Sequence, residues 1–237
     1  MLRLAAPAKL NLYLRVLGKR SDGYHEIETL FERIDLADEL TFEAADDLAL
    51  TCTDPTLSCG EDNLILKAAR FLQAATRTHQ GATIRLTKRI PIAAGLGGGS
   101  SDAAATLMGL NRLWNTRCST DELHALACQL GSDVPFFLTA NPFAIGRGRG
   151  ELLEPVRDTN ELIHLLVTPN MPLSTKDIYA SAALNPSTSS GLNPERATRV
   201  EGFNLTAPGP SITMLVHALC NGSLGELAKG LFNALEP

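Results

Sequence analysis

Long apolar runs are missing from this sequence. Nothing in it approaches the roughly eighteen consecutive apolar residues that a membrane span requires, and its first residues show no charged-then-apolar leader pattern. A cytoplasmic protein is the expectation. Cysteines are few and unpatterned: Cys52, Cys59, Cys118, Cys128 and Cys220 are odd in number and never spaced C-x-x-C. They read as reduced, packed thiols rather than a disulfide framework or a zinc site. An excess of positive charge is absent as well, since 21 Lys and Arg against 26 Asp and Glu leave a formal charge of −5. That balance argues against a nucleic-acid or anionic-membrane surface, so any positive field for a phosphate has to be local. The chain has no internal repeat. At 237 residues it is long enough for a substantial core, as one large domain or two small ones.

What the sequence does have is a glycine-rich run: Ile90, Pro91, Ile92, Ala93, Ala94, Gly95, Leu96, Gly97, Gly98, Gly99, Ser100, Ser101 and Asp102. Without Cβ atoms, successive backbone N–H groups can turn toward one anion at no steric cost. Ser100, Ser101 and Asp102 are natural N-cap residues, and Ala103, Leu107, Leu110 and Trp114 recur at helical spacing. A helix N-terminus is therefore predicted to point at the same spot as the loop amides and to add its dipole there. Two familiar phosphate loops do not match. The Rossmann G-x-G-x-x-G fails because Ser100 stands at its last glycine, and the P-loop fails because no lysine lies in or just after the run. The competing reading is a flexible linker or a bare strand-to-helix turn.

The alternation Leu10, Leu12, Leu14, Val16 against Asn11, Tyr13, Arg15 predicts a strand with Lys9, Asn11 and Tyr13 on the face opposite the leucines. Lys9 alone is equally an ordinary solvated lysine. Gly18–Gly23 reads as a turn leading to a strand through Ile27, Thr29 and Phe31, with Tyr24 and His25 at its mouth. That pair suits stacking on a flat ligand, or a structural role at the surface. From Ile34 to Thr53 the pattern is strand, acidic turn at Asp46 and Asp47, strand. Glu61, Asp62 and Asn63 start a helix with a stripe of Leu64, Ala68, Phe71, Leu72 and Ala75, running to about His79. Ile84 and Leu86 mark the strand that feeds the glycine run.

Beyond the loop helix, Ser119 to Glu122 is a capping box, followed by buried Leu123, Leu126, Ala127 and Leu130 and a stop at Gly131. Asp133 then falls in a turn before an apolar stretch read as a strand, Val134-Pro-Phe-Phe137, where it serves either a cleft or the turn itself. Gly146-Arg-Gly-Arg-Gly150 reads as a second glycine-rich bend, with two readings, arginines that meet phosphate and, favoured, a plain hairpin loop. Leu162–Val167 is predicted as a buried strand, Ser174–Tyr179 as a short helix, and residues 185–210 as a long polar loop. Two helices are predicted at the end, Ser211–Cys220 and Ser223–Leu235.

Three separated motifs then read together: Pro7-Ala-Lys9-Leu-Asn11 with Asp22-Gly-Tyr24-His25, the run Pro91 to Ser101, and Gly131-Ser-Asp133-Val-Pro-Phe-Phe137. In this order the chain resembles the GHMP small-molecule kinases, and the Asp-Gly-Tyr-His motif resembles their branch acting on a cytidine diphosphate-linked alcohol of the non-mevalonate isoprenoid route. The resemblance implies an α+β fold in two parts. Residues 1–150 would form the ATP-binding domain, of the ribosomal-protein-S5 type, and residues 151–237 an incomplete ferredoxin-like domain, with the active site in the cleft between them. It implies ATP with Mg2+ as co-substrate, and no tightly bound prosthetic group. Residues Pro91 to Ser101 would hold the ATP phosphates, and Ser101, with Ser100, would touch the β- or γ-phosphate or its Mg2+. Asp133 would act as general base and Lys9 would pair with it and steady the phosphoryl group. Tyr24 and His25 would grip the cytosine, and Asn11 would complete the substrate side.

The family also carries a further C-terminal glycine-rich motif that has no counterpart here, where the sequence ends in Phe232-Asn-Ala-Leu-Glu-Pro237. On that basis the chain is expected to be either a truncated or a short form, less stable for its missing sheet edge and weakly active or inactive. The alternatives carried forward are another GHMP kinase with a different alcohol, and a nucleotide-binding remnant without activity.

Overall fold

The computed structural model describes residues 1–168 and 211–233. Its frame is one mixed sheet built on two long antiparallel strands, β1 (Leu2–Lys19) and β2 (His25–Ala45). The two strand segments expected before Asp46 are thus one continuous strand. Its second half, Glu39–Ala45, pairs with β4 (Gly81–Thr87), while its first half, Ile27–Glu32, pairs with β5 (Phe143–Gly148). β3 (Leu48–Cys52) runs parallel to β4, and β6 (Leu152–Val156) closes the hairpin with β5.

Four helices pack on the sheet face that carries Phe31, Leu40, Phe42 and Ile84: α1 (Leu64–Thr76), α2 (Gly98–Leu113), α3 (Thr120–Leu130) and α4 (Val134–Leu138). The helical spacing read for α2 holds, since Ala103, Leu107, Leu110 and Trp114 are all buried in this core. Its glycine at 109 is needed by packing: a Cβ there would stand 2.6 Å from the Phe42 ring. In α1 the buried stripe is Ile65, Ala68, Ala69 and Leu72, with Leu64 and Phe71 only half-buried and Ala75 exposed. Asn63 caps α1 by accepting from Ile65 N–H, and the helix stops at Arg77 in left-handed conformation. The Ser119–Glu122 capping box forms as expected.

A second core lies on the opposite face, because Leu30 and Phe31 are consecutive in β2 and point to opposite sides. It gathers Leu12, Tyr13, Leu30, Phe143 and Ile145 with Ile212, Leu215, Ala218 and Leu219 of α5 (Ile212–Asn221).

Several expectations are corrected. The alternation in β1 is interrupted by register shifts at Pro7/Lys9, Asn11/Tyr13 and Val16/Gly18. An extra residue at a bulge turns all that follow to the other face, so Tyr13 enters the second core beside Leu12, and Leu14 takes the place beside Lys9 and Asn11. The loop helix begins at Gly98, with Gly97 (φ +70) as its N-cap. Ser100, Ser101 and Asp102 therefore sit inside its first turns rather than capping it. Val134–Leu138 is a short helix and not a strand, because Pro135 fits the first helical turn, where a missing N–H costs nothing. Leu162–Val167 forms no ladder with any described strand, and Ile163, Leu165 and Val167 are exposed. An apolar run without a strand edge to pair with does not become a strand.

At the end of the chain, α6 (Leu224–Gly230) stops earlier than its apolar pattern suggested, and β7 (Phe232–Asn233) pairs in parallel with β1. The close approach of α6 to α5 depends on Gly230, where a Cβ would lie 2.6 Å from Leu215. The helix expected at Ser174–Tyr179 and the loop expected over 185–210 lie outside the described residues. No helix among the described residues is long and apolar enough to cross a membrane.

Candidate functional site

The glycine run leaves β4, crosses the end of the sheet and turns into α2, where left-handed values at Ala93 (φ +56), Gly95 (+74) and Gly97 (+70) shape its path. It is tied to β1 by Lys9 N–H donating to Leu96 C=O at 2.9 Å. Gly97 is needed for packing as well as for φ, since a Cβ would stand 2.9 Å from Lys9 Cγ and 3.0 Å from Phe137 Cζ. At Gly95 the same direction is open space. The loop faces a cleft of about 800 Å³ that Pro91 through Ser100 border together with Lys9, Asn11, Asp102 and Asp133.

Within that cleft the structure brings together three residues singled out in the sequence. Lys9 Nζ lies 3.7 Å from Asp133 Oδ2 and donates to Asn11 Oδ1 at 2.5 Å. Asn11 Nδ2 donates to Thr29 Oγ1 (2.7 Å), whose hydroxyl donates to the Tyr13 carbonyl (2.7 Å). The chain of donors fixes both the amide and the lysine head. Lys9 is buried but Asp133, at the turn between α3 and α4, is partly open to the cleft.

Ser101, Tyr24 and His25 do not border the cleft. Ser101 is buried, and its Oγ has no hydrogen-bond partner among the described residues. Tyr24 stands at the β1–β2 hairpin tip, half-exposed, held by Arg20 N–H donating to its carbonyl at 2.8 Å. It approaches the site through Arg149, whose guanidinium lies 4.8 Å from the Tyr24 ring centroid and which does border the cleft. His25 opens β2 opposite Lys19.

A buried ionic cluster beneath the loop went unread in the sequence. Lys88, just before the run, donates to Asp38 and reaches Asp102 Oδ2 at 3.3 Å, with all three side chains nearly inaccessible. Asp38 Oδ1 also accepts from the N–H groups of Arg89 (2.5 Å) and Ile90 (2.8 Å), which pins the entry to the glycine run. Lys88 passes directly under the loop: a Cβ on Gly98 would meet its Nζ at 2.8 Å. Burial pushes the Asp102 carboxyl up to about 7; Lys88 opposes the shift and the Asp38 charge adds to it. The available signal was register, because Glu39 faces Thr87 across the β2–β4 ladder and so puts Asp38 opposite Lys88.

The residues present suit a magnesium-bearing polyphosphate rather than a protein-caged metal. Among the described residues no three His, Cys, Asp or Glu side chains converge to hold an ion. Mg2+ in phosphoryl-transfer sites is held chiefly by phosphate oxygens and waters, with one or two protein oxygens. Ser100, at the cleft, and the buried, unpartnered Ser101 hydroxyl beside it would be the protein oxygens available to such an ion.

The comparisons agree with this architecture. The GHMP kinases N terminal domain matches residues 63–141, which include the whole glycine run. A 4-diphosphocytidyl-2-C-methyl-D-erythritol kinase of Pelotomaculum thermopropionicum is 45% identical over 234 residues, covering 98% of this chain and 75% of that protein. One from Shewanella oneidensis is 48% identical over 181 residues, covering 76% of this chain and 63% of that protein. A crystal structure of 4-(cytidine 5'-diphospho)-2C-methyl-D-erythritol kinase superposes with a TM-score of 0.71 at 35% identity, covering 99% of this chain and 76% of that one. The chain thus spans between about three fifths and three quarters of the length of these relatives. With a glycine loop opening a helix beside a fixed lysine–aspartate pair, and with this degree of identity, the chain belongs to the 4-diphosphocytidyl-2-C-methyl-D-erythritol kinase family of the GHMP kinases.

Proposed function

We propose that this chain is an ATP-dependent kinase that phosphorylates the 2-hydroxyl of 4-diphosphocytidyl-2-C-methyl-D-erythritol, acting in the cytoplasm. The observation that supports it most is the Lys9–Asp133 pair, 3.7 Å apart at the mouth of the glycine loop. Asp133 orients the acceptor hydroxyl and takes its proton as the new oxygen–phosphorus bond forms and the bond to the departing ADP breaks. Lys9, held by Asn11, steadies the charge spread over the transferring phosphoryl oxygens. Such a transition state is loose, so alignment and charge stabilisation carry most of the rate. The amides from Gly95 to Ser100 and the N-terminus of α2 bind the nucleotide phosphates. Ser100 and Ser101 would hold Mg2+, which when bound neutralises phosphate charge. Tyr24 and His25 hold the cytosine by stacking and hydrogen bonding, and residues 1–150 form the ATP-binding domain against 151–237.

A product assay tests the reading: the protein, ATP and the cytidine-linked alcohol, beside mevalonate and homoserine. Phosphorylation confined to the cytidine compound is expected. Equal turnover of the other alcohols rejects the substrate, and nucleotide binding by calorimetry without any product rejects the kinase.

A further inference from the structure

Among the described residues three cations border the cleft, Lys9, Lys88 and Arg149, and two of them are committed. Lys88 is held by two buried carboxylates, and Lys9 is divided between Asn11 and Asp133. Arg149 is not held in this way. Its Nε reaches Glu151 Oε1 at 3.4 Å, and its two terminal nitrogens donate no hydrogen bond among the described residues.

The β5–β6 hairpin decides where this guanidinium stands. Gly148 and Gly150 flank it with φ of +73 and +114, and its own N–H donates to Glu151 Oε2 at 2.7 Å. The neighbouring Arg147 points elsewhere, paired with Glu154 at 2.8 Å and Glu28 at 3.4 Å, and does not border the cleft. On one side the Arg149 guanidinium covers the Tyr24 ring at 4.8 Å. On the other, the hairpin tip closes on Asp133, since a Cβ on Gly150 would lie 3.8 Å from Asp133 Oδ1. The hairpin therefore places Arg149 at the border of the cleft, its guanidinium over Tyr24 and the next residue, Gly150, beside Asp133.

In a cytidine diphosphate-linked alcohol the group between the base and the reacting hydroxyl is the diphosphate. Resting on the kinase reading above, we propose that Arg149 binds that diphosphate and so determines specificity for the acceptor rather than for ATP. A guanidinium presents paired N–H donors in one plane, which match two phosphate oxygens at once. Stacking on Tyr24 fixes that plane and leaves its outer edge free. The contact of Nε with Glu151 leaves both terminal nitrogens open to an incoming anion among the described residues.

Calorimetric titration of cytidine and of cytidine diphosphate, with the ATP site filled by a non-hydrolysable analogue, separates the roles. Wild-type protein is expected to bind the diphosphate more tightly than the nucleoside. Arg149→Gln should weaken the diphosphate by about 10- to 100-fold, the range for losing charge-assisted hydrogen bonds, and leave cytidine within about twofold. Arg149→Lys should recover only part of the loss, because it keeps the charge without the fork. In turnover the acceptor KM should rise while the KM for ATP stays put. Equal weakening of cytidine and cytidine diphosphate makes Arg149 a prop for Tyr24 and overturns the proposal, as does no change in either. Unaltered acceptor KM in Arg149→Gln, with wild-type turnover intact, overturns it alone. Wild-type protein that binds neither compound overturns it together with the kinase reading.

Discussion

Lys9 and Asp133 meet across the cleft at 3.7 Å, the lysine from the middle of β1 and the aspartate from the turn that starts α4. Because Asn11 and Thr29 hold the lysine head from behind, the pair is set before any ligand arrives. Catalysis by alignment needs such pre-set groups.

Asp133→Asn keeps the shape of that pair and removes the proton acceptor. The kcat is expected to fall by about 10² to 10⁴, the usual contribution of a general base, with ATP affinity largely kept. Steady-state kinetics beside calorimetry reads both, and an unchanged kcat takes Asp133 out of the mechanism.

Gly97→Ala puts a side chain where φ is +70 and where Lys9 and Phe137 already stand within 3.0 Å of the new Cβ. The left-handed backbone alone costs about 1–2 kcal/mol. A lower urea midpoint and ATP binding weakened at least about tenfold are expected. Full stability with unaltered ATP affinity would show that the loop does not hold the nucleotide.

Asp102 carries a pH dependence of stability. Its folded carboxyl titrates near 7 against 3.8 for the free side chain, so its contribution is complete below about pH 4 and is lost as pH rises through 7. In that window the folded state binds a proton that the unfolded chain has released, and stability falls by up to about 1.4 kcal/mol per pH unit from this group. Asp102→Asn should flatten the fall, so that its stability relative to wild type improves from pH 5 to pH 8. Parallel denaturant curves across that range would contradict this.

His25→Ala is expected to raise the acceptor KM and leave the KM for ATP within about twofold. The reverse pattern would place His25 on the nucleotide side.

Local patterns were legible wherever a few neighbouring residues decide the outcome. The Ser119 capping box, the Asn63 cap and the buried stripe of α2 are set by short-range geometry and form as the residues suggest, whereas the loop read at Gly146–Gly150 turns only after Gly148, its first three residues continuing β5. Lys9, Asn11 and Asp133 were also legible, because their motifs keep order along the chain, although their roles rest on the resemblance. Tyr13 was misjudged since strict alternation assumes an unbroken ladder, and the shift between Asn11 and Tyr13 is set by pairing with β2. The Val134–Leu138 turn was misjudged because a run of five apolar residues has no period of its own.

The sequence by itself determined the phosphate-loop composition, the helix it opens and the presence of an acid and a base on separate elements, since those depend on residue type and short spacing. Only the tertiary structure decided which of them share a cleft: Leu14 in place of Tyr13, Lys88 buried between Asp38 and Asp102, and Arg149 laid over Tyr24. Each of these joins strands or turns far apart in the chain. Ladder register and the cost of burying charge set them, and neither is written in any one segment.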